Sequence, residues 1–242
     1  MMIPLGMLVV AASDLATSMV SRRAACLGLA CTLVPRNPAS AAQVERQRLL
    51  SLISTEASDE AVLSAISALL PLDPSGGRAA RDDSLAGTWE LLWSYKADKF
   101  SPLLGLPRPI RPQSLQYLGE SAQALVGPGR VANELTLPVG SLLLSSGVVR
   151  PNDEPATLEI RPPFRLEVEG PGRWRSTLVE AGSDAEFRAL NARTAEAQQA
   201  PKNRYVQTYL ETTGKPGDLR ISTVASGDPV IVGSVFVHRR LR

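Results

Sequence analysis

A single histidine, His238, serves the whole 242-residue chain, so any Ser-His-Asp relay for acyl transfer would have to run through it. No Gly-x-Ser-x-Gly elbow is present to expose a serine nucleophile. Both cysteines, Cys26 and Cys31, fall within the first 41 residues. Residues 42–242 therefore hold no thiolate nucleophile, no disulfide and no Cys-ligated metal. The carboxylates form no group at metal-ligand spacing, and Asp82-Asp83 and Asp153-Glu154 read as loop charges. The glycine-rich stretches lack the phosphate-loop pattern. The expectation is a protein without catalytic residues, metal or cofactor, whose chemistry is non-covalent binding.

The side chains suited to that task are aromatic and aliphatic residues at alternating positions. Trp89, Leu91, Trp93 and Tyr95 fall on one face of a two-residue repeat, as in a half-buried strand. The same alternation recurs at Val131, Asn133, Leu135 and Leu137, at Leu158 and Ile160, and at Phe164, Leu166 and Val168. It continues through Trp174, Ser176 and Leu178, through Tyr205, Gln207 and Tyr209, and through Leu219 and Ile221. It ends with Val232, Ser234, Phe236 and His238. Short alternating strands between Gly/Pro turns indicate an antiparallel barrel or sandwich. Asn133, Ser176, Gln207 and Ser234 interrupt the apolar stripes with polar groups. Buried polar atoms must meet each other, water or a ligand head group. An apolar hollow with a few such groups is the usual form of a small-molecule site, although a small ring of strands is also readily filled by its own side chains.

The elements that precede the strands are helical. Leu49, Leu52, Ile53, Val62, Leu63, Ile66, Leu69 and Leu70 follow a helical stripe over 43–70. Ser58-Asp59-Glu60 supplies a fresh helix start, so two short helices broken near 55–58 are expected. Pro71 and Pro74-Ser75-Gly76-Gly77 end the pattern. Residues 43–84 thus form a helical preamble with a loop, and 85–242 the β domain. Asp184–Ala200 reads as a polar excursion.

Residues 1–41 resemble an address. The pair Arg22-Arg23 precedes the apolar run 24–34, and Ala39-Ser40-Ala41 gives a small-x-small exit. These are the parts of a twin-arginine export signal. The hydroxylated stretch ahead of them suits a two-stage plastid address ending in the thylakoid lumen. Lys and Arg total 26 and Asp and Glu 24. The address holds Arg22, Arg23 and Arg36 against Asp14, so the remainder is electroneutral. A neutral body lacks the cationic footprint that nucleic-acid binding requires.

Two further features bear on binding. The segment from Phe100 to Pro112 is too proline-rich for a regular helix or a central strand. It nevertheless carries Phe100, Leu103, Leu104, Leu106 and Ile110, together with Arg108 and Arg111. It reads either as a loop packed across the mouth of the strands or as a membrane-contact tip meeting anionic head groups. Arg220, between Leu219 and Ile221, points to the face opposite theirs. It is either a solvated strand residue or an inward charge facing Glu211 or a ligand.

The β domain opens with Leu85-Ala86-Gly87-Thr88-Trp89-Glu90-Leu91. It closes with Tyr209-Leu210-Glu211, Asp218-Leu219-Arg220-Ile221 and Gly233-Ser234-Val235-Phe236-Val237-His238-Arg239-Arg240. Over roughly 45–241 this resembles the plastid lipid-associated protein/fibrillin family. The departures are Glu211 in place of Asp, the insertion Thr212–Gly217, Thr223-Val224 in place of Arg-Gly, and His238 in place of Leu. The resemblance implies a lipocalin-like antiparallel β-barrel with a short N-terminal helical segment. It implies a protein that sequesters or carries quinone, carotenoid or acyl lipid at thylakoid membranes or lipid bodies. The cavity lining would be Trp89, Leu91, Trp93, Tyr95, Asn133, Trp174, Tyr209 and Phe236. Trp89 would cover the closed end and stack with Arg240, Arg239 being the fallback. The rival expectations are a structural coat of lipid bodies with a filled barrel and an enzyme using Glu211 as acid/base.

Overall fold

The structure, a computed structural model, describes residues 38–99, 101–182 and 202–242. It begins with two helices, α1 (Pro38–Ser54) and α2 (Asp59–Leu69). Between them Glu56 takes a positive φ of 53°, which helical backbone cannot accommodate. The Ser58 hydroxyl then accepts from the Ala61 N–H at 3.4 Å, and Asp59 and Glu60 occupy the positive end of the helix dipole. α1 begins ahead of residue 43, so Ala39-Ser40-Ala41 lies in its first turn. The Arg22-Arg23 pair and the apolar run of the expected address lie outside the described residues, as does Asp184–Ala200.

Nine strands follow among the described residues. They are β1 (Gly87–Tyr95), β2 (Gln113–Leu118), β3 (Arg130–Leu137), β4 (Gly140–Val149) and β5 (Thr157–Glu169), then β6 (Arg175–Ala181), β7 (Asn203–Leu210), β8 (Leu219–Ser226) and β9 (Val235–Arg240). A short helix, α3 (Glu120–Val126), joins β2 to β3. All pairings are antiparallel, in the order β4-β3-β2-β1-β9-β8-β7-β5-β6, and β4 also pairs with β5. The strands therefore form a ring. β5 serves two partners on one side: Thr157–Ile160 pairs with β7, and Phe164–Glu169 pairs with β6. The ring is completed by β1 against β9, which sets the first strand of the chain beside the last.

The inner face is identified by convergence. Leu118, Val131, Leu158 and Leu210 come from β2, β3, β5 and β7, yet all join one buried cluster with Trp89, Leu85, Ala79 and Ala80. This cluster forms the floor. At the opposite end Ala97, Leu104, Val224, Ile231 and Phe236 make a second inner cluster. The outer face of β7–β9 is covered by the helices, through Leu49, Val62, Ile66 and Leu69 against Tyr209, Leu219, Ile221 and Val237.

Two register shifts redirect side chains that strict alternation would place inside. On β1 the pairing with β9 runs Leu91↔His238 and then Trp93↔Val237, so one extra residue is inserted between them. A bulge of this kind swaps the faces beyond it. Trp93 accordingly packs with the helix cluster, alongside Leu92. Tyr95 follows it, stacked 6.4 Å from Trp93 at 11°. On β7 a second shift falls between Gln207 and Tyr209, and it turns Tyr209 toward the helices while Leu210 joins the floor. Trp93, Tyr95 and Tyr209 are thus on the outer face, contrary to the sequence expectation that they line a hollow.

The interior of the strand ring as candidate site

Trp89 is fully buried, and its indole N–H donates to the Leu85 carbonyl at 3.0 Å. The Arg240 guanidinium lies over the indole, Cζ 4.5 Å from the ring centroid. A Cβ on Gly87 would sit 2.4 Å from Arg240 Nη1, and Gly87 also has φ +144°. The glycine two residues ahead of the tryptophan is therefore what lets the arginine reach it. Arg240 Nη1 also donates to the Ala86 carbonyl at 2.7 Å. Its nearest acid is Asp218, 3.9 Å away. Arg239 points outward to Glu90, 2.5 Å away, and does not touch Trp89.

A second cation meets the same indole. Arg220 Cζ is 5.0 Å from the Trp89 centroid, and Arg220 is only 1% exposed. Its Nη2 donates to Gln116 Oε1, and Gln116 Nε2 donates to Asn133 Oδ1 at 2.8 Å. Asn133 therefore faces inward, as part of an amide relay that positions the guanidinium. Among the described residues Arg220 makes no ion pair, and its Nε has no hydrogen-bond partner. Burial, and then the charge of Arg240, lower the guanidinium to about 9, so at neutral pH it remains a cation.

The level above Trp89 is polar as well. β8 sets Arg220 beside His238, and Ser222 beside Phe236. Gln207 opposes Ser222 across β7, and Ser234 continues the inner stripe of β9. All of these are buried. Gln207 Oε1, Ser234 Oγ and His238 Nδ1 have no partner among the described residues. Leu91 and Tyr205 close the level on its apolar side, against Phe236. Burial, and then Asp228, push the Tyr205 phenol up to about 12. The interior is thus an apolar floor, a polar middle and an apolar upper rim.

Of the residues expected to line a hollow, Trp89, Leu91, Asn133 and Phe236 share this inner face. Trp174 does not contribute to it: it precedes β6, is 54% exposed and lies against Gly170, where a Cβ would be 2.2 Å from its ring. The proline-rich segment divides in the same way. Leu104 is buried in the rim cluster, while Leu103 and Leu106 are half-buried. Arg111 Nε is occupied by the Leu106 carbonyl at 2.8 Å. Ile110 is 67% exposed. Phe100 and the side chain of Arg108 lie outside the described residues. Leu104 therefore belongs to a packed loop, and among the described residues of that loop Ile110 is a large apolar side chain presented to solvent.

Glu211 is engaged on the outer face and does not reach Arg220. It receives Arg46 Nε at 2.8 Å, the Leu219 N–H at 2.8 Å and the Tyr209 hydroxyl at 3.2 Å. Arg46 also donates to the Gly217 carbonyl at 2.6 Å. The segment 212–217 is thereby tied to α1, a role for the Arg46–Glu211 pair that no local sequence pattern reveals. Among the described residues no group of His, Cys, Asp and Glu could hold a metal, and no helix is long and apolar enough to cross a membrane. Two grooves lie outside the ring. One, of about 410 Å³, is lined by Leu125, Glu134, Ser141, Leu143, Glu169 and Arg175. The other, of about 280 Å³, lies between the helices, Trp93 and the proline-rich segment.

Burial, and then the charge of Arg220, hold the His238 imidazole well below its ordinary value, so it is neutral in the folded protein. Once unfolded, it protonates near pH ~6.5. As pH falls through that value the unfolded chain binds one more proton than the folded one. Stability present above pH ~6.5 is then lost, at up to about 1.4 kcal/mol per pH unit. With one histidine in the chain, His238→Gln should flatten this limb. Urea titrations between pH 7 and 5 check it, and equal slopes in both proteins would contradict it.

Comparison with protein-family models, curated proteins and solved structures finds no match to this chain.

Proposed function

We propose that this protein is a non-enzymatic carrier that sequesters an apolar small molecule, a quinone, carotenoid or acyl lipid, inside a lipocalin-like β-barrel. The observation that carries this reading is the inner level of Gln207, Ser234, His238 and Arg220. These side chains are buried and hold atoms without partners among the described residues, between apolar residues above and below. A protein gains no stability from such atoms; a ligand with an apolar body and a polar end does use them. The resemblance of the Gly-x-Trp opening and the closing strands to the plastid lipid-associated proteins supports the same reading. The proposed place of action is the thylakoid membrane or plastid lipid bodies, on the lumenal side if residues 1–41 act as the address they resemble.

Burying ~300 Å² of ligand apolar surface contributes roughly 7 kcal/mol before association costs, which sets a micromolar scale of affinity. Full-chain protein titrated with the neutral polyene diphenylhexatriene should show saturable one-to-one uptake. Decyl-plastoquinone or a carotenoid should displace it.

A second reading, a coat protein of lipid bodies with a filled barrel, is favoured by the packing of both ends of the ring and by the two grooves outside it. Flotation with galactolipid vesicles separates the two. A protein that floats, loses flotation on Ile110→Asp and never saturates with diphenylhexatriene is a coat.

A further inference from the structure

We infer that the carried molecule is an amphipathic monocarboxylic acid, its carboxylate seated on Arg220 in the polar middle of the ring and its apolar body toward Leu91 and Leu135. The inference rests on the carrier reading and adds the chemistry of the head group.

Charge balance inside the ring leads to it. Arg220 and Arg240 both stand over Trp89, and both are at least 95% buried. Among the described residues the one acid close to either is Asp218, beside Arg240. No acid lies on the inner face of any described strand. Glu90, Glu134, Glu159, Glu167 and Glu169 all alternate to the outside in the observed registers. His238, the strand neighbour of Arg220, is neutral. Among the described residues the interior therefore holds one positive charge more than it balances, and that charge is Arg220.

A buried cation without a counter-ion is costly, and the hydrogen bond it does make is to a neutral amide, Gln116. That amide is itself held by Asn133, so the guanidinium is fixed in direction before any ligand arrives. A planar carboxylate matches the guanidinium fork, and one negative charge cancels the excess. A phosphate dianion would overshoot the balance, and a neutral quinone or carotenoid would leave it uncorrected. The apolar side of the same level, Leu91 and Leu135, accommodates the chain that follows the head group.

The test titrates full-chain protein at pH 7.5 with cis-parinaric acid and with its methyl ester, which differ in the head group alone. The wild type should bind the acid at least tenfold more tightly than the ester. Arg220→Met, of similar length and without charge, should bind both with the affinity of the wild type for the ester. Circular dichroism checks that the variant is folded. If it is not, Arg220→Gln takes its place, and the acid-to-ester ratio of the wild type is decisive by itself. Equal affinities in the wild type, or a preference for the acid that survives loss of Arg220, overturn the assignment while leaving the carrier reading intact. Failure of both probes, together with failure of diphenylhexatriene, removes the carrier reading itself.

Discussion

Trp89→Ala is expected to lower the unfolding free energy by about 3–5 kcal/mol, the largest effect of any single substitution in the β domain. The side chain is fully buried and packs with residues contributed by β2, β3, β5 and β7, so its removal opens a void that no one strand can close by shifting. Other losses add to the cavity. The Leu85 carbonyl loses its donor, and two arginines lose the ring that faces them, a contact of about 0.5–2 kcal/mol each. Arg220 and Arg240 would then be buried cations beside a void. Urea unfolding followed by far-UV circular dichroism measures the change, which in a domain of this size corresponds to a fall in Tm of about 10 °C. Trp89→Phe keeps most of the packing and should cost roughly 1–2 kcal/mol. If the alanine variant is no less stable than the phenylalanine variant, Trp89 does not hold the floor.

The second large effect belongs to the helices. Leu69→Ala should destabilise by about 3 kcal/mol, because Leu69 is fully buried between α2 and the outer face of β7–β9. That face carries Tyr209, Leu219, Ile221 and Val237, which would meet water without the helices. Helices and strands should therefore unfold together in a single transition. Val44 on α1 is 56% exposed, and Val44→Ala serves as the control, with an expected change within about 0.5 kcal/mol. A Leu69→Ala variant that loses helix signal at low urea while the tryptophan signal holds would show the helices to be an accessory to the ring.

How much of this was legible in the sequence differs from strand to strand. The last strand reads correctly from Ser234 onward, because Ser234, Phe236 and His238 alternate as expected and are buried. Its expected start does not hold: β9 begins at Val235, and Val232 is 38% exposed in the turn before it. β1 reads correctly only as far as Leu91. The residue inserted before Trp93 leaves no mark in the composition, since Leu92 and Trp93 are both apolar and either parity is plausible. The same holds for β7, where Gln207 was placed inside correctly but Tyr209 was not. The break between the helices was visible in Ser58-Asp59-Glu60, whereas the extension of α1 back to Pro38 was not. Trp174 was misplaced because a tryptophan flanked by alternating residues looks like core. It is instead 54% exposed and rests its ring against Gly170, a contact that depends on the local turn.

Arg220 lay at the margin of legibility. Its position between Leu219 and Ile221 showed which face it takes, and the cover given to those two residues by the helices shows that face to be the inner one. Gln116 and Asn133, which hold the guanidinium, lie in β2 and β3, far along the chain. Only the ring closure brings them together, and no spacing rule connects positions 116 and 220.

Because β1 pairs with β9, the floor around Trp89 waits for residues some 150 positions further along the chain. During translation the early strands emerge with an incomplete inner surface, and Trp89 meets Arg240 only after the ribosome has finished some 150 further codons. Until then the early strands keep open edges that invite association with neighbouring chains. Docking of β9 between β1 and β8 is what closes the ring.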